Sequence, residues 1–68
     1  MTSIGVIGST AGVVWRFLNA NGPATLYAIE KGVAAPKGLV AMAIGWLARE
    51  GKLKVEQEGR TVRYAVNE

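Results

Sequence analysis

Eight basic side chains and five glutamates make up the ionic chemistry of this chain, because histidine, cysteine and aspartate do not occur in it. Without imidazole or thiolate, the usual zinc ligands, the commonest general base and the thiol nucleophile are missing together. The carboxylates Glu30, Glu50, Glu56, Glu58 and Glu68 form no spacing that marks an acid–base pair. This inventory points away from an enzyme, and no cofactor or metal is expected. The glycines of Gly5-Val-Ile-Gly8-Ser-Thr-Ala-Gly12 match neither the dinucleotide fingerprint nor the P-loop, and no lysine follows them where a phosphate-binding loop needs one. They read as a weakened first helical turn or as a close-packing surface.

What the basic residues can do depends on where they lie. Five of the eight, Arg49, Lys52, Lys54, Arg60 and Arg63, fall in the last third of the chain, and the formal charge is +3. That is a mild lean toward polyanions, far below that of a histone-like chain. Three glutamates, Glu50, Glu56 and Glu58, are interleaved with them.

The elements that must carry these charges follow from periodicity. With 68 residues the chain has room for a single small domain, expected to span residues 1–68. Half of it is apolar, with no polar low-complexity run, so it should fold. Ile4, Ile7, Ala11, Val14, Trp15 and Leu18 share one stripe at about 100° per residue and define a first helix. Ser3 is its candidate cap, and Asn21-Gly22-Pro23 stops it. Thr25 caps a short second helix with Leu26, Ile29 and Val33 inward, ending near Gly32. Pro36 then opens a third helix running to about Glu50, with Gly51 as its stop. After Gly51 the period becomes alternating. Leu53, Val55, Val62, Tyr64 and Val66 point one way, while Lys52, Lys54, Glu56, Thr61 and Arg63 point the other. Glu58-Gly59 serves as a two-residue hairpin loop.

Two helices joined by a short turn form a helix-turn-helix, and three helices followed by a hairpin are the order of a winged helix. The fold expected is therefore α+β, a winged helix-turn-helix with a C-terminal β-hairpin wing. No basic leader precedes the first helix and no apolar run has membrane-spanning length, so a cytoplasmic protein without membrane contact is expected.

The run Ala43-Ile-Gly-Trp-Leu-Ala-Arg-Glu-Gly-Lys52, with Ala11, Trp15 and Leu18 followed by Asn21-Gly22-Pro23, resembles the signature of a family of small bacterial winged helix-turn-helix proteins of unknown function. The resemblance covers nearly the whole chain. It implies the same fold and a DNA-binding role as regulator or accessory factor. One departure concerns the loop Val33-Ala-Ala-Pro36, which has no Ser, Thr or Asp to cap the third helix. Ala35 cannot accept a hydrogen bond there, a loss of roughly 1 kcal/mol relative to a good cap.

Helix 3 is the candidate reading helix, yet its outward face has little to read with. Leu39, Val40, Ala43, Ile44 and Leu47 fill a buried arc of roughly 140°. Opposite lie Gly38, Ala41, Met42, Gly45, Ala48 and Arg49, flanked by Trp46 and Lys37. Base edges are read by Arg, Lys, Asn or Gln, and only Lys37 and Arg49 qualify, at the two ends. Small residues at this spacing instead permit close approach of another chain, so Gly38, Ala41, Met42, Gly45 and Trp46 are candidates for an interaction surface. Val6, Val13 and Phe17 form a second apolar line on helix 1 and suggest a homodimer. A Glu58-Gly59 turn places Lys54 opposite Arg63, a like-charge pair that a phosphate backbone would relieve. Duplex DNA contact is thus expected at Thr25, Lys37, Arg49, Lys52, Lys54, Arg60 and Arg63, mainly to phosphates. The alternative is a protein-interaction module that uses the small-residue face of helix 3 and the second stripe of helix 1.

Overall fold

The computed structural model describes residues 4–67. Three helices, α1 (Ile4–Asn21), α2 (Leu26–Gly32) and α3 (Lys37–Arg49), precede a hairpin of β1 (Leu53–Glu58) and β2 (Thr61–Val66). This is an α+β winged helix domain of the expected order. Ser3, the candidate cap of α1, lies outside the described residues.

Helix ends are set by local chemistry. Gly22 adopts φ 83°, and its N–H donates to the Leu18 carbonyl at 2.8 Å, so the left-handed residue both stops α1 and satisfies one of its last carbonyls. Thr25 caps α2, its Oγ1 accepting from the Ala28 N–H at 3.1 Å. At the end of α3, Gly51 (φ 73°) donates to the Ala48 carbonyl and Lys52 donates to Leu47. That pair of bonds is a Schellman motif.

The start of α3 differs from expectation by one residue. Pro36 is its cap rather than its first helical residue: ψ is 144°, and no side chain bonds the helix start. The fixed proline φ suits either position, while the extended ψ places Lys37 at the first helical position.

The core is built where the three helices meet. Ala11, Val14 and Leu18 of α1 pack with Ile29, Val33, Val40, Ala43, Ile44, Leu47 and Leu53, and Val14, Ile29, Val40 and Ala43 are wholly inaccessible to solvent. Burying each of the larger side chains contributes about 1.5–3 kcal/mol. Three apolar residues assigned inward are exposed instead: Ile4, at the start of α1, Leu26, in the first turn of α2, and Val55, in β1. Ile4 and Leu26 stand at helix starts, and Val55 stands on the hairpin, where only Leu53 of β1 is buried; in each case the periodic pattern runs past the elements that could cover it. Thr10 is buried, its hydroxyl donating to the Val6 carbonyl at 2.9 Å.

The hairpin turn is Gly59-Arg60, one residue further along than expected, so Glu58 pairs with Thr61 and Leu53 with Val66. The reason is backbone strain. Gly59 has φ 61° and no described non-glycine residue has positive φ. A Gly-first loop of this kind needs the left-handed conformation only at its first position, whereas Glu58-Gly59 would have forced a glutamate into it. Strand β2 is also held on its other side. Ala24 and Tyr64 exchange two backbone hydrogen bonds, of 3.0 and 2.8 Å, so the α1–α2 connection adds a minimal third strand.

Candidate nucleic-acid interface

Helix α3 is buried along Val40, Ala43, Ile44 and Leu47, and its packing leaves the opposite face open. Gly38, Ala41, Met42, Gly45, Ala48 and Arg49 are all exposed. A Cβ built on Gly38 or Gly45 would meet nothing within 4 Å. Apart from Met42 and the terminal cations, the surface is therefore low because glycine and alanine carry little or no side chain, not because another element covers it. Lys37 and Arg49 stand at its ends, separated by the length of a 13-residue helix, about 18 Å at the standard rise. Trp46, expected as a wall of this face, is half-buried against the core and lines a cleft together with Trp15. Phe17, expected on the second stripe of α1, is likewise packed against the core. Its ring lies so close to Gly32 that any Cβ there would collide with it. Val6 and Val13 are exposed.

On the wing, the new register removes the expected clash. Lys54 faces Ala65, and Arg63 faces Glu56. The partners of Lys54 and Arg63 change, but because the pairing moves by two residues each side chain keeps its face. The Lys54 ammonium lies 3.8 Å from the Glu56 carboxylate, and that of Lys52 lies 3.6 Å from Glu50. All four side chains are largely solvated, so these pairs count for little in stability. They do place a carboxylate beside each of two lysines assigned to DNA, which lowers the local positive charge there. Among the described residues no carboxylate lies within ion-pair distance of Lys37, Arg49, Arg60 or Arg63. Thr25 is half-buried, with its oxygen engaged as the cap of α2.

One surface pair was not singled out from the sequence. Tyr27 of α2 is exposed, and the Lys31 ammonium sits 5.4 Å from its ring centroid. The signal was present as a tyrosine and a lysine four positions apart on a short helix, a spacing that brings side chains together on one face.

Among the described residues no group of three or more His, Cys, Asp or Glu side chains could hold a metal ion. No described helix is long and apolar enough to cross a membrane.

Comparison with known proteins supports the architecture. Residues 1–65 match the model of a winged helix-turn-helix domain family, DUF2582. No curated protein matches the chain. Among solved structures, BT2368 from Bacteroides thetaiotaomicron, determined by solution NMR, superposes with a TM-score of 0.83 at 29% identity, over 91% of this chain and 76% of that one. A chain of HOP2, described in terms of its DNA recognition and protein interaction domains and its homologous DNA pairing properties, gives 0.70 at 27% identity, over 85% of this chain and 98% of that one. AF1382 from Archaeoglobus fulgidus shares the fold at 0.64 and 15% identity, over 97% of this chain and 72% of that one.

Proposed function

Since the chain belongs to the DUF2582 family of winged helix-turn-helix domains, we propose that it works by binding rather than by catalysis, and that its ligand is duplex DNA, held through phosphates. The observation that carries this reading is the open face of α3. It is bare of carboxylates and of bulky side chains other than Met42, and it is bounded by Lys37 and Arg49. The second helix of a helix-turn-helix is the one that enters the major groove. Cations at the two ends of a helix lying in that groove can reach toward the flanking phosphates. Arg60 and Arg63 on the wing add two further cations without ion-pair partners among the described residues. HOP2, to which this chain is similar over 85% of its length, is described through DNA recognition, which agrees with the same use.

Such an interface positions a duplex without reading it. No Asn or Gln stands on the α3 face, so discrimination between sequences should be weak. Lys37, Arg49, Arg60 and Arg63 amount to about four phosphate contacts, for which log affinity should fall against log salt with a slope near −4. Titrating the protein with an arbitrary short duplex at several salt concentrations tests this. A slope near −4, with amide shifts at Lys37, Arg49 and the wing, is the expected result. Flat salt dependence, or no shifts at low salt, overturns it.

A second reading, self-association, is favoured by a separate observation. Val6 and Val13 are exposed one above the other on α1. Beside Val13 a shallow apolar groove of about 130 Å³ opens toward Val33, Ala34 and Ala35. A homodimer through this side would double the phosphate contacts. Sedimentation at high micromolar concentration decides it, and a monomer mass removes the dimer.

A further inference from the structure

The cleft between α1 and α3 is built from features that the DNA reading leaves unused. Both tryptophans of the chain, Trp15 and Trp46, line it, together with Gly8 and Gly12. Its volume is about 650 Å³, within the range of about 300–1,000 Å³ typical of small-molecule sites.

The glycines help to keep the cleft open. Each costs about 1 kcal/mol of helix propensity relative to alanine. Internal packing does not require them: a Cβ on Gly8 would meet nothing within 4 Å, and one on Gly12 would meet only the guanidinium of Arg16, at 3.5 Å. Alanine at either position would fit the fold and narrow the cleft.

The charges select the ligand's sign. Arg16, Glu50 and Lys52 line the cleft. Lys52 and Glu50 lie 3.6 Å apart and together add no net charge to the cleft. Arg16 is left without a carboxylate in ion-pair reach among the described residues. Its guanidinium is folded back over Gly12, at the cleft, rather than extended away from it. A planar guanidinium is matched by a carboxylate, which it can bind through two parallel hydrogen bonds. Two indoles are matched by a flat aromatic ring.

We infer that this cleft binds a small planar aromatic carboxylate, with its ring against Trp15 and Trp46 and its carboxylate on Arg16. The site is separate from the duplex interface, because none of Lys37, Arg49, Arg60 or Arg63 lines it. Failure of one proposal therefore leaves the other standing.

The chain supplies its own reporters, since it has only two indole N–H groups and both belong to the cleft. The test follows their NMR signals in the full chain during titration with 2-naphthoate, 2-naphthalenemethanol and 2-naphthylmethylamine. Both indole signals should shift saturably with 2-naphthoate, which should bind at least about tenfold tighter than the alcohol, the scale of one charge-assisted contact. The amine should not saturate. Arg16→Gln, at an exposed position, should bring the acid and alcohol to equal affinity. Gly8→Leu should abolish binding of both while keeping native signal dispersion. Equal affinity for acid, alcohol and amine in the unsubstituted protein overturns the inference. So does an absence of indole shifts at millimolar 2-naphthoate, or unchanged affinity for it in a folded Gly8→Leu protein.

Discussion

Gly32 and Gly45 both lie in helices and are both solvent-exposed by area, yet they sit in opposite kinds of place. At the junction of α1 and α2 the ring of Phe17 occupies the space a Gly32 side chain would need. On the open face of α3 the space above Gly45 is empty. The first glycine is required by packing within the chain. The second has no internal reason, and its cost in helix propensity is consistent with something outside the chain approaching α3. A glycine is thus informative only once its surroundings are known.

Substitutions sharpen this contrast. The largest effect is expected for Gly32→Ala, which drives a methyl into the Phe17 ring and should cost about 2–3 kcal/mol. In a domain of this size that lowers Tm by roughly 10 °C or more in thermal unfolding. Combining it with Phe17→Leu should recover part of the loss, and strict additivity in the double-mutant cycle would show that the two sites do not touch. Next, Thr25→Ala removes the α2 cap and should cost about 1 kcal/mol in urea unfolding. Gly45→Ala should do the reverse and stabilise by about 0.5–1 kcal/mol. Destabilisation there would mean that the face is not open, and the contrast with Gly32 would collapse. Gly45→Leu should preserve the fold and weaken duplex binding, since the side chain would stand between α3 and the groove. The smallest effect is expected for Lys54→Ala. Its solvated pair with Glu56 predicts a stability change below about 0.5 kcal/mol and little change in the salt slope, whereas Arg60→Ala should reduce that slope by about 1.

Much of this was legible from residue types alone. The ends of α1 and α3 were marked by Gly22 and Gly51, because the left-handed stop conformation is strongly tied to glycine. The α2 cap was marked by Thr25 for an equally local reason. The buried arc of α3 followed from its period, with Leu39 only partly covered. The hairpin register was less legible because two overlapping dipeptides, Glu58-Gly59 and Gly59-Arg60, both contain the glycine a tight loop needs. Alternation could not separate them, since the two registers differ by two residues and leave every side chain on the same face. Exposure of Ile4 and Leu26 was hidden for a different reason. Periodicity shows which residues share a face and not how far the covering element extends. The cleft was least legible: Trp15 and Trp46 are distant in the chain, and only the packing of α1 on α3 brings them together.

The paired hydrogen bonds between Ala24 and Tyr64 carry a kinetic consequence. Helices α1 to α3 and the hairpin are local structures that can form with short loop closures, but this seam joins the first connection of the chain to its last strand. Closing it costs the entropy of the whole intervening segment, so it should form late and depend on the helices already being docked. The amides of Ala24 and Tyr64 should then exchange with deuterium only on global unfolding, while those near Gly59 exchange by local fraying. On this prediction the wing is two structures in series: a tip that carries Arg60 and opens by local fraying, and a base tied to the body of the domain through Ala24 and Tyr64.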